Sequence, residues 1–173
     1  VVMIIIREAN YNDLEGIARV HVESWRSTYT GIVSEVYLSK LTLETRKKNW
    51  EWTFNHLDQD DKIFVAEDEG KIVGFSTGGR NRVDTTEYEG ELYAIYILQE
   101  YQGKGIGKKL VQEVMNALKE MNYLSMLVWV LELNPAMAFY RKLGGEVLTR
   151  KEIKIGENLL FEVALGWRNL DLP

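Results

Sequence analysis

An α/β fold of the α+β type is predicted, with a mixed, mostly antiparallel sheet of six to seven strands flanked by about four helices. Three observations carry this. Two pairs of β-rich runs are separated by short turn sequences, apolar residues recur at helical spacing in four other stretches, and a strand-length apolar run passes through a glycine-rich turn into one of those stretches.

In chain order, Ile4 to Glu8 reads as a first strand. Leu14, Ile17, Ala18, His21, Val22 and Trp25 then fall on one helical face, with Asn10 or Asn12 placed to cap it. A second helix starts after Thr42 and carries Trp50, Phe54 and Leu57 on its apolar side. Lys62 to Glu67 and Lys71 to Thr77 form a hairpin around Asp68-Glu69-Gly70, ended by Gly78-Gly79. A long strand from Glu89 to Leu98 precedes Gly103-Lys104-Gly105-Ile106-Gly107, which opens a helix bearing Leu110, Val111, Val114, Leu118 and Met121. Leu124 to Leu131 is a further strand, and Asn134-Pro135 starts a short helix stopped by Gly144-Gly145. Glu146 to Ile155 and Leu159 to Leu165 close the chain as a second hairpin around Gly156-Glu157-Asn158. With 173 residues, 20.0 kDa, 46% hydrophobic and 27% charged residues and no linker or repeat, residues 1–173 are expected to form one domain.

The absence of cysteine removes disulfides, thiolate metal sites and any acyl-cysteine intermediate. A net charge of -5 and a pI near 5.2 disfavour nucleic acid, whose phosphates demand a basic face. The apolar opening from Val1 to Ile6 is too short for a signal peptide or a membrane span, so no membrane partner is expected, and the absence of cysteine fits a reducing cytoplasm. His21 sits on an apolar stripe and His56 near a helix end, so neither suggests a metal, and none is expected. Trp25, Tyr29, Trp50 and Trp52 read as core or as one wall of a pocket.

The glycine-rich turn is the chemical signal. A helix N-terminus offers unpaired N–H groups and partial positive charge, and Gly103, Gly105 and Gly107 let the backbone close on an anion. Lys104, Lys108 and Lys109 crowd that first turn, where the helix dipole disfavours cations unless a counter-anion is near. Two common phosphate motifs fail on spelling. The dinucleotide fingerprint needs glycine where Lys108 stands, and the P-loop needs Ser or Thr where Lys109 stands.

Gln102-Gly103-Lys104-Gly105-Ile106-Gly107 resembles the Q/R-x-x-G-x-G/A signature of the GCN5-related N-acetyltransferase (GNAT) superfamily, in particular its small, single-domain members of bacterial type. The likeness extends over nearly the whole order of strands and helices. It implies a sheet splayed between its two central strands, with acetyl-CoA as cosubstrate, and transfer of the acetyl group directly to an amine. It also implies that Gln102 through Lys108 hold the diphosphate and that the backbone of Ile95, Tyr96 and Ile97 takes the pantetheine arm by strand addition. Glu91 matches in spacing the catalytic glutamate of the family's histone-acetylating branch and is the candidate base. Tyr140, in a segment from Asn134 that resembles N-x-x-A-x-x-x-Y with the alanine displaced to Ala138, is the candidate acid for the leaving thiolate. Asn134 is expected both to cap its helix and to touch the CoA arm.

The acceptor, a small-molecule or peptide amine, is left open, as is the choice between monomer and homodimer. The acidic run Asp84, Glu87, Glu89 and Glu91 suits a polycation or forms a solvated face. Two other readings stand beside the enzyme: a catalytically silent CoA-binding sensor or interaction module of the same fold, and an unrelated nucleotide binder.

Overall fold

The computed structural model describes residues 3–82 and 87–173. The elements run β1 (Ile4–Glu8), a 3-10 turn (Tyr11–Asp13), α1 (Leu14–Tyr29), α2 (Glu35–Ser39), α3 (Leu43–Asn55), β2 (Lys62–Asp68), β3 (Lys71–Arg80) and β4 (Gly90–Ile97). A second 3-10 turn (Gln99–Tyr101), α4 (Ile106–Glu120), β5 (Met126–Leu131), α5 (Ala136–Lys142), β6 (Glu146–Ile155) and β7 (Asn158–Trp167) follow. The strands form one sheet in the order β1-β2-β3-β4-β5-β7-β6, in which the β4–β5 pair is parallel and every other neighbouring pair is antiparallel. A parallel pair cannot be joined by a hairpin, and α4 supplies the crossover.

Alternation along β3 sorts the helices onto two faces. Phe75 meets His21 of α1 and Trp50 of α3, whereas the next residue, Ser76, donates from its Oγ to the Leu110 carbonyl of α4. The β2–β3 hairpin turns on Glu69 and Gly70, both at positive φ (48° and 83°), as a tight primed turn requires. Thr42 caps α3 by accepting the Thr45 N–H at 3.2 Å. The Asn10 side chain caps the first 3-10 turn, and Asp13 reciprocates through the Asn10 N–H while holding Arg7 with two 2.8 Å bonds. That guanidinium holds the Asp13 carboxyl below its usual range.

Three details depart from the sequence-based expectation. The short α2 adds a fifth α-helix, capped by Ser34. Gly78 and Gly79 lie inside β3 instead of ending it, because a Cβ at Gly78 would come within 2.5 Å of Val114 and one at Gly79 within 2.6 Å of the Asp60 carbonyl. Trp52, placed in the core or a pocket wall by its spacing, is 63% exposed and stacks on His56.

Opposite those glycines the register slips. Thr77 faces Ala94 while Gly78 faces Leu92, so Tyr93 is an extra residue in β4. Such a bulge bends its strand. On the other edge of β4, pairing with β5 covers only Gly90 to Leu92 against Met126 to Val128, and beyond that point the two strands part.

Candidate active site

The gap opened by this divergence is a cavity of about 1000 Å³. One end is lined by Gln102, Gly103, Gly105, Ile106, Gly107 and Lys108, and the other by residues of α1, β5, β6 and β7.

At the first end, Gly103 and Gly105 take left-handed conformations (φ 76° and 82°), and a Cβ added to either would meet nothing within 4 Å. Steric crowding therefore does not explain these glycines, and backbone conformation does. The N–H groups of residues 103 to 108 find no protein acceptor among the described residues; the first N–H of this region to do so is that of Lys109, to the Gly105 carbonyl. Gly107 serves a different purpose, since a Cβ there would lie 3.0 Å from Phe139 and 3.3 Å from Ile97, so it lets α4 sit close to α5 and β4. Lys104 Nζ lies over the Tyr101 ring at 5.3 Å, and Lys108 Nζ donates to the Pro173 carbonyl at 3.1 Å. An open turn with a row of unpaired donors, glycines that leave room for close approach, and lysines at its rim fits a diphosphate.

The edge of β4 leads from this turn into the cavity. Leu98 donates its N–H to the Val73 carbonyl on the β3 side, so alternation directs the N–H groups of Ile95 and Ile97 toward the unpaired β5 side. Gln102 Nε2 donates to the Ile97 carbonyl at 3.1 Å and ties the turn to this edge. Tyr96 points the other way, onto the α1 face, where it stacks on His21 and accepts the Trp25 Nε1–H at 3.0 Å.

Tyr140 lies on α5, 4% exposed, with its ring against Phe139 and Trp167. Burial, with the neighbouring Tyr96 and Tyr29, raises its phenol well above the ordinary value. It lines the cavity, and none of the hydrogen bonds among the described residues involves its hydroxyl. The other two phenols are engaged: Tyr96 by Trp25, and Tyr29 by Asn134 Nδ2 at 2.8 Å. Asn134 itself stands one residue before the helix cap, which is Pro135, yet its Oδ1 accepts the Ala136 N–H at 2.8 Å and so still closes the first turn. One of its amide protons is committed to Tyr29 rather than to an open cavity.

Glu91 lies on β4 two residues before Tyr93, which lines the cavity, whereas Glu91 does not. It is 8% exposed, and its Oε1 accepts the Arg82 N–H at 3.0 Å. Burial raises its carboxyl above the usual range, against the opposing pull of that N–H and the Arg82 charge. The acidic run expected around it is divided: Glu87 and Glu89 are exposed, Glu91 is buried, and Asp84 is outside the described residues.

Trp25 and Tyr29 of α1, read from the sequence as core or one wall of a pocket, line the cavity, and so do two residues that the sequence reading did not mark, Trp129 of β5 and Glu162 of β7. For Glu162 a signal existed, because it is the single charged residue in the otherwise apolar stretch Asn158–Trp167. His21 is neutral in this setting: burial lowers its pKa to about 3, and its Nδ1 accepts the Trp50 indole N–H. Among the described residues no cluster of potential metal ligands occurs, and no helix is long and apolar enough to cross a membrane.

A family model described as the acetyltransferase (GNAT) family matches residues 20–145. An uncharacterized N-acetyltransferase, YuaI, of Bacillus subtilis (strain 168) is 38% identical over 170 residues, covering 97% of this chain and 95% of the relative. A spermidine N(1)-acetyltransferase of Thermoplasma acidophilum is 31% identical, over 82% of this chain and 88% of its own. Among solved structures, the PaiA N-acetyltransferase of Thermoplasma acidophilum in complex with coenzyme A superposes with a TM-score of 0.68 at 28% identity, over 92% of this chain and 98% of that one.

Proposed function

The chain belongs to the GNAT acetyltransferase family, and from that premise we propose that it transfers an acetyl group from acetyl-CoA directly to a primary amine of a small molecule, a polyamine or a protein N-terminus. The observation that carries this reading is the continuity between the donor-lined turn at the head of α4 and the unpaired edge of β4, within one cavity. Acetyl-CoA supplies an acetyl group activated as a thioester.

Gly103, Lys104, Gly105, Ile106, Gly107 and Lys108 hold the diphosphate through main-chain N–H groups, with the lysines adding charge at the rim, while Gln102, whose own N–H is taken by the Gln99 carbonyl, ties the turn to β4 through its side chain. The free N–H groups of Ile95 and Ile97 pair with the amide-bearing arm as an added strand would, with Tyr96 between them anchoring the edge. One of them polarises the thioester carbonyl, where a fixed donor stabilises developing negative charge. Asn134 steadies the mouth through Tyr29 and offers its second amide proton to the arm.

An alkylamine with a pKa near ~10.4 is mostly protonated at neutral pH and must lose a proton before it attacks. Glu91 is the base. Because its carboxylate does not line the cavity, the proton reaches it through water past Tyr93. Its raised pKa brings it nearer the operating pH, which favours proton transfer. Tyr140 is the acid: of the three coupled phenols, Tyr96 and Tyr29 are engaged by Trp25 and Asn134, and the Tyr140 hydroxyl, in no hydrogen bond among the described residues, is available to a departing thiolate. With no cysteine in the chain, no acyl-thiol intermediate on the protein is available and transfer is direct.

The test is thiol release from acetyl-CoA by the purified protein over a panel of primary amines. Amine-dependent release supports transfer. Tight CoA binding without release on any amine would assign the chain to a silent CoA-binding module instead, and ATP or NAD displacing CoA would favour a nucleotide binder.

A further inference from the structure

A carboxylate other than Glu91 lines the cavity itself, and a cation of the chain's own is already seated on it. Glu162 on β7 lines the cavity with 18% of its side chain exposed, and its Oε1 lies 3.3 Å from Lys151 Nζ. The same ammonium lies 4.1 Å from the centre of the Trp129 ring on β5. Lys151 and Glu162 are cross-strand partners, while Trp129 is paired with Ala164, so the lysine arches across β7 to reach the indole. Its side chain is half exposed and does not line the cavity, whereas Trp129 and Glu162 do. The anion and the aromatic face therefore belong to the cavity, and the cation enters from the outer strand.

A carboxylate beside an indole is a seat for an ammonium ion, combining a charge-assisted hydrogen bond with cation–π attraction. Lys151 demonstrates that a primary ammonium fits there. The Trp129 Nε1–H is buried without a partner among the described residues, so this corner also keeps an unused donor.

Glu91 shares the geometry. It is paired with Leu127 of β5 and Glu162 with Leu131, and residues 127, 129 and 131 share one face of that strand. Four residues of strand separate the two registers by roughly 13 Å along the sheet at ~3.3 Å per residue. Both the Glu162 and the Lys151 charges are felt at Glu91. An acceptor that satisfies both places carries an amine at one end, a flexible aliphatic spacer, and an ammonium at the other.

Resting on the reading of the site as an amine acetyltransferase, we propose that Glu162 and Trp129 form a subsite for the second cation of an aliphatic di- or polyamine acceptor, and that Lys151 occupies this subsite until the acceptor displaces it. Glu162 is then a specificity-determining residue and Lys151 an internal competitor. The two make opposite predictions.

The experiment compares 1,8-diaminooctane and spermidine with n-octylamine in acetyl-CoA thiol release, for wild type, Glu162→Gln and Lys151→Met, alongside calorimetric titration of the diamine into each protein with CoA present. The wild type should favour the diamine over the monoamine by at least about tenfold in kcat/KM, and Glu162→Gln should reduce that ratio by about tenfold, chiefly through KM. Lys151→Met should increase it several-fold, a gain that mere structural damage would not produce. Equal use of diamine and monoamine by wild type, or a ratio lowered by Lys151→Met, overturns the subsite while amine acetylation stands. Diamine binding that depends on Glu162 without any thiol release supports the subsite and overturns acetylation instead.

Discussion

Asn134 donates from Nδ2 to the Tyr29 hydroxyl at 2.8 Å, joining the turn before α5 to the end of α1 across the mouth of the cavity. The same side chain takes the Ala136 N–H on its Oδ1, so one amide fixes both a helix entry and a cavity wall. In Tyr29→Phe the ring still packs on Trp25, at 4.4 Å between centroids, but the amide proton is left without its partner. Water reaches the cavity, so the cost should be near the low end for an orphaned donor, about 1 kcal/mol. Thermal denaturation should show Tm lower by about 2 to 4 °C, the size expected for a chain of this length. An unaltered Tm would mean that solvent replaces the phenol fully.

Tyr140→Phe removes a hydroxyl that takes part in no hydrogen bond among the described residues. Stability should hold, since deletion leaves no orphaned partner, and the CoA dissociation constant should stay within about twofold of wild type, well under the 1.4 kcal/mol of a tenfold change. Turnover should fall by about 10²-fold, the lower end for a positioned proton donor. Steady-state kinetics separates the two: loss in kcat with KM retained marks a contact made only in the transition state. A kcat equal to wild type would remove Tyr140 from the chemistry.

Burial of Glu91 raises its pKa, and the sign of the consequence follows. The folded protein keeps the proton to higher pH than the unfolded chain, so stability is lost as pH rises through the folded value. Glu91→Gln relieves that penalty and should be at least as stable as wild type at neutral pH, with the advantage vanishing below pH ~4, where both forms are uncharged. Activity should move the other way. In Glu91→Gln the acidic limb of the kcat/KM profile should move up toward the pKa of the amine, with a deficit of about 10²-fold at neutral pH that narrows near pH ~10, where the amine sheds its own proton. Superimposable pH profiles would exclude it as the base.

Much of this arrangement is legible in the sequence because it is local. The donor-rich turn needs only Gly103 and Gly105 at the head of an apolar-striped helix, and both hairpins announce themselves through turn residues. What is not legible depends on register. The spacing gives Gly78-Gly79 as a strand end, yet they are the thin places where β3 lets Val114 and the Asp60 carbonyl come close. The Tyr93 bulge, which bends β4 away from β5, has no local signature because it exists only relative to β3. For the same reason the meeting of Tyr29, Trp129, Lys151 and Glu162 cannot be read from spacing. Those residues come from α1, β5, β6 and β7, and only the order β5-β7-β6 brings the three strand residues side by side.

His21 makes stability depend on pH in the opposite sense to Glu91. Its folded pKa of about 3 lies far below the ~6.5 of an exposed imidazole, chiefly through burial and secondarily through the Arg46 charge. Above pH ~6.5 both states are neutral and no penalty applies; as pH falls from there toward 3 the unfolded chain gains a proton that the folded one refuses. The loss should reach roughly 4 kcal/mol at the bottom of that window. His21→Gln, whose amide oxygen can still accept the Trp50 indole N–H, should flatten this part of the curve. Urea midpoints at pH 7, 5 and 4 for the two proteins measure it, and parallel curves would show that the imidazole is protonated in the fold.

Gly105 and Gly107 are two residues apart and should fail differently. At Gly105 the obstacle is φ 82°, with no atom near an added methyl, so Gly105→Ala should cost about 1 kcal/mol of backbone strain and leave the surrounding packing alone. That methyl would stand beside the unpaired N–H groups, where a diphosphate needs close approach, and CoA affinity should drop by at least about tenfold, equivalent to one lost main-chain contact. At Gly107 the added carbon would press on Phe139 at 3.0 Å and Ile97 at 3.3 Å, so α5 must shift from α4 and the main loss is stability, of order 1 to 3 kcal/mol. Calorimetric titration with CoA, paired with thermal denaturation, resolves the two outcomes. A Gly105→Ala protein that binds CoA as tightly as wild type would show that the ligand's phosphates do not sit on this turn.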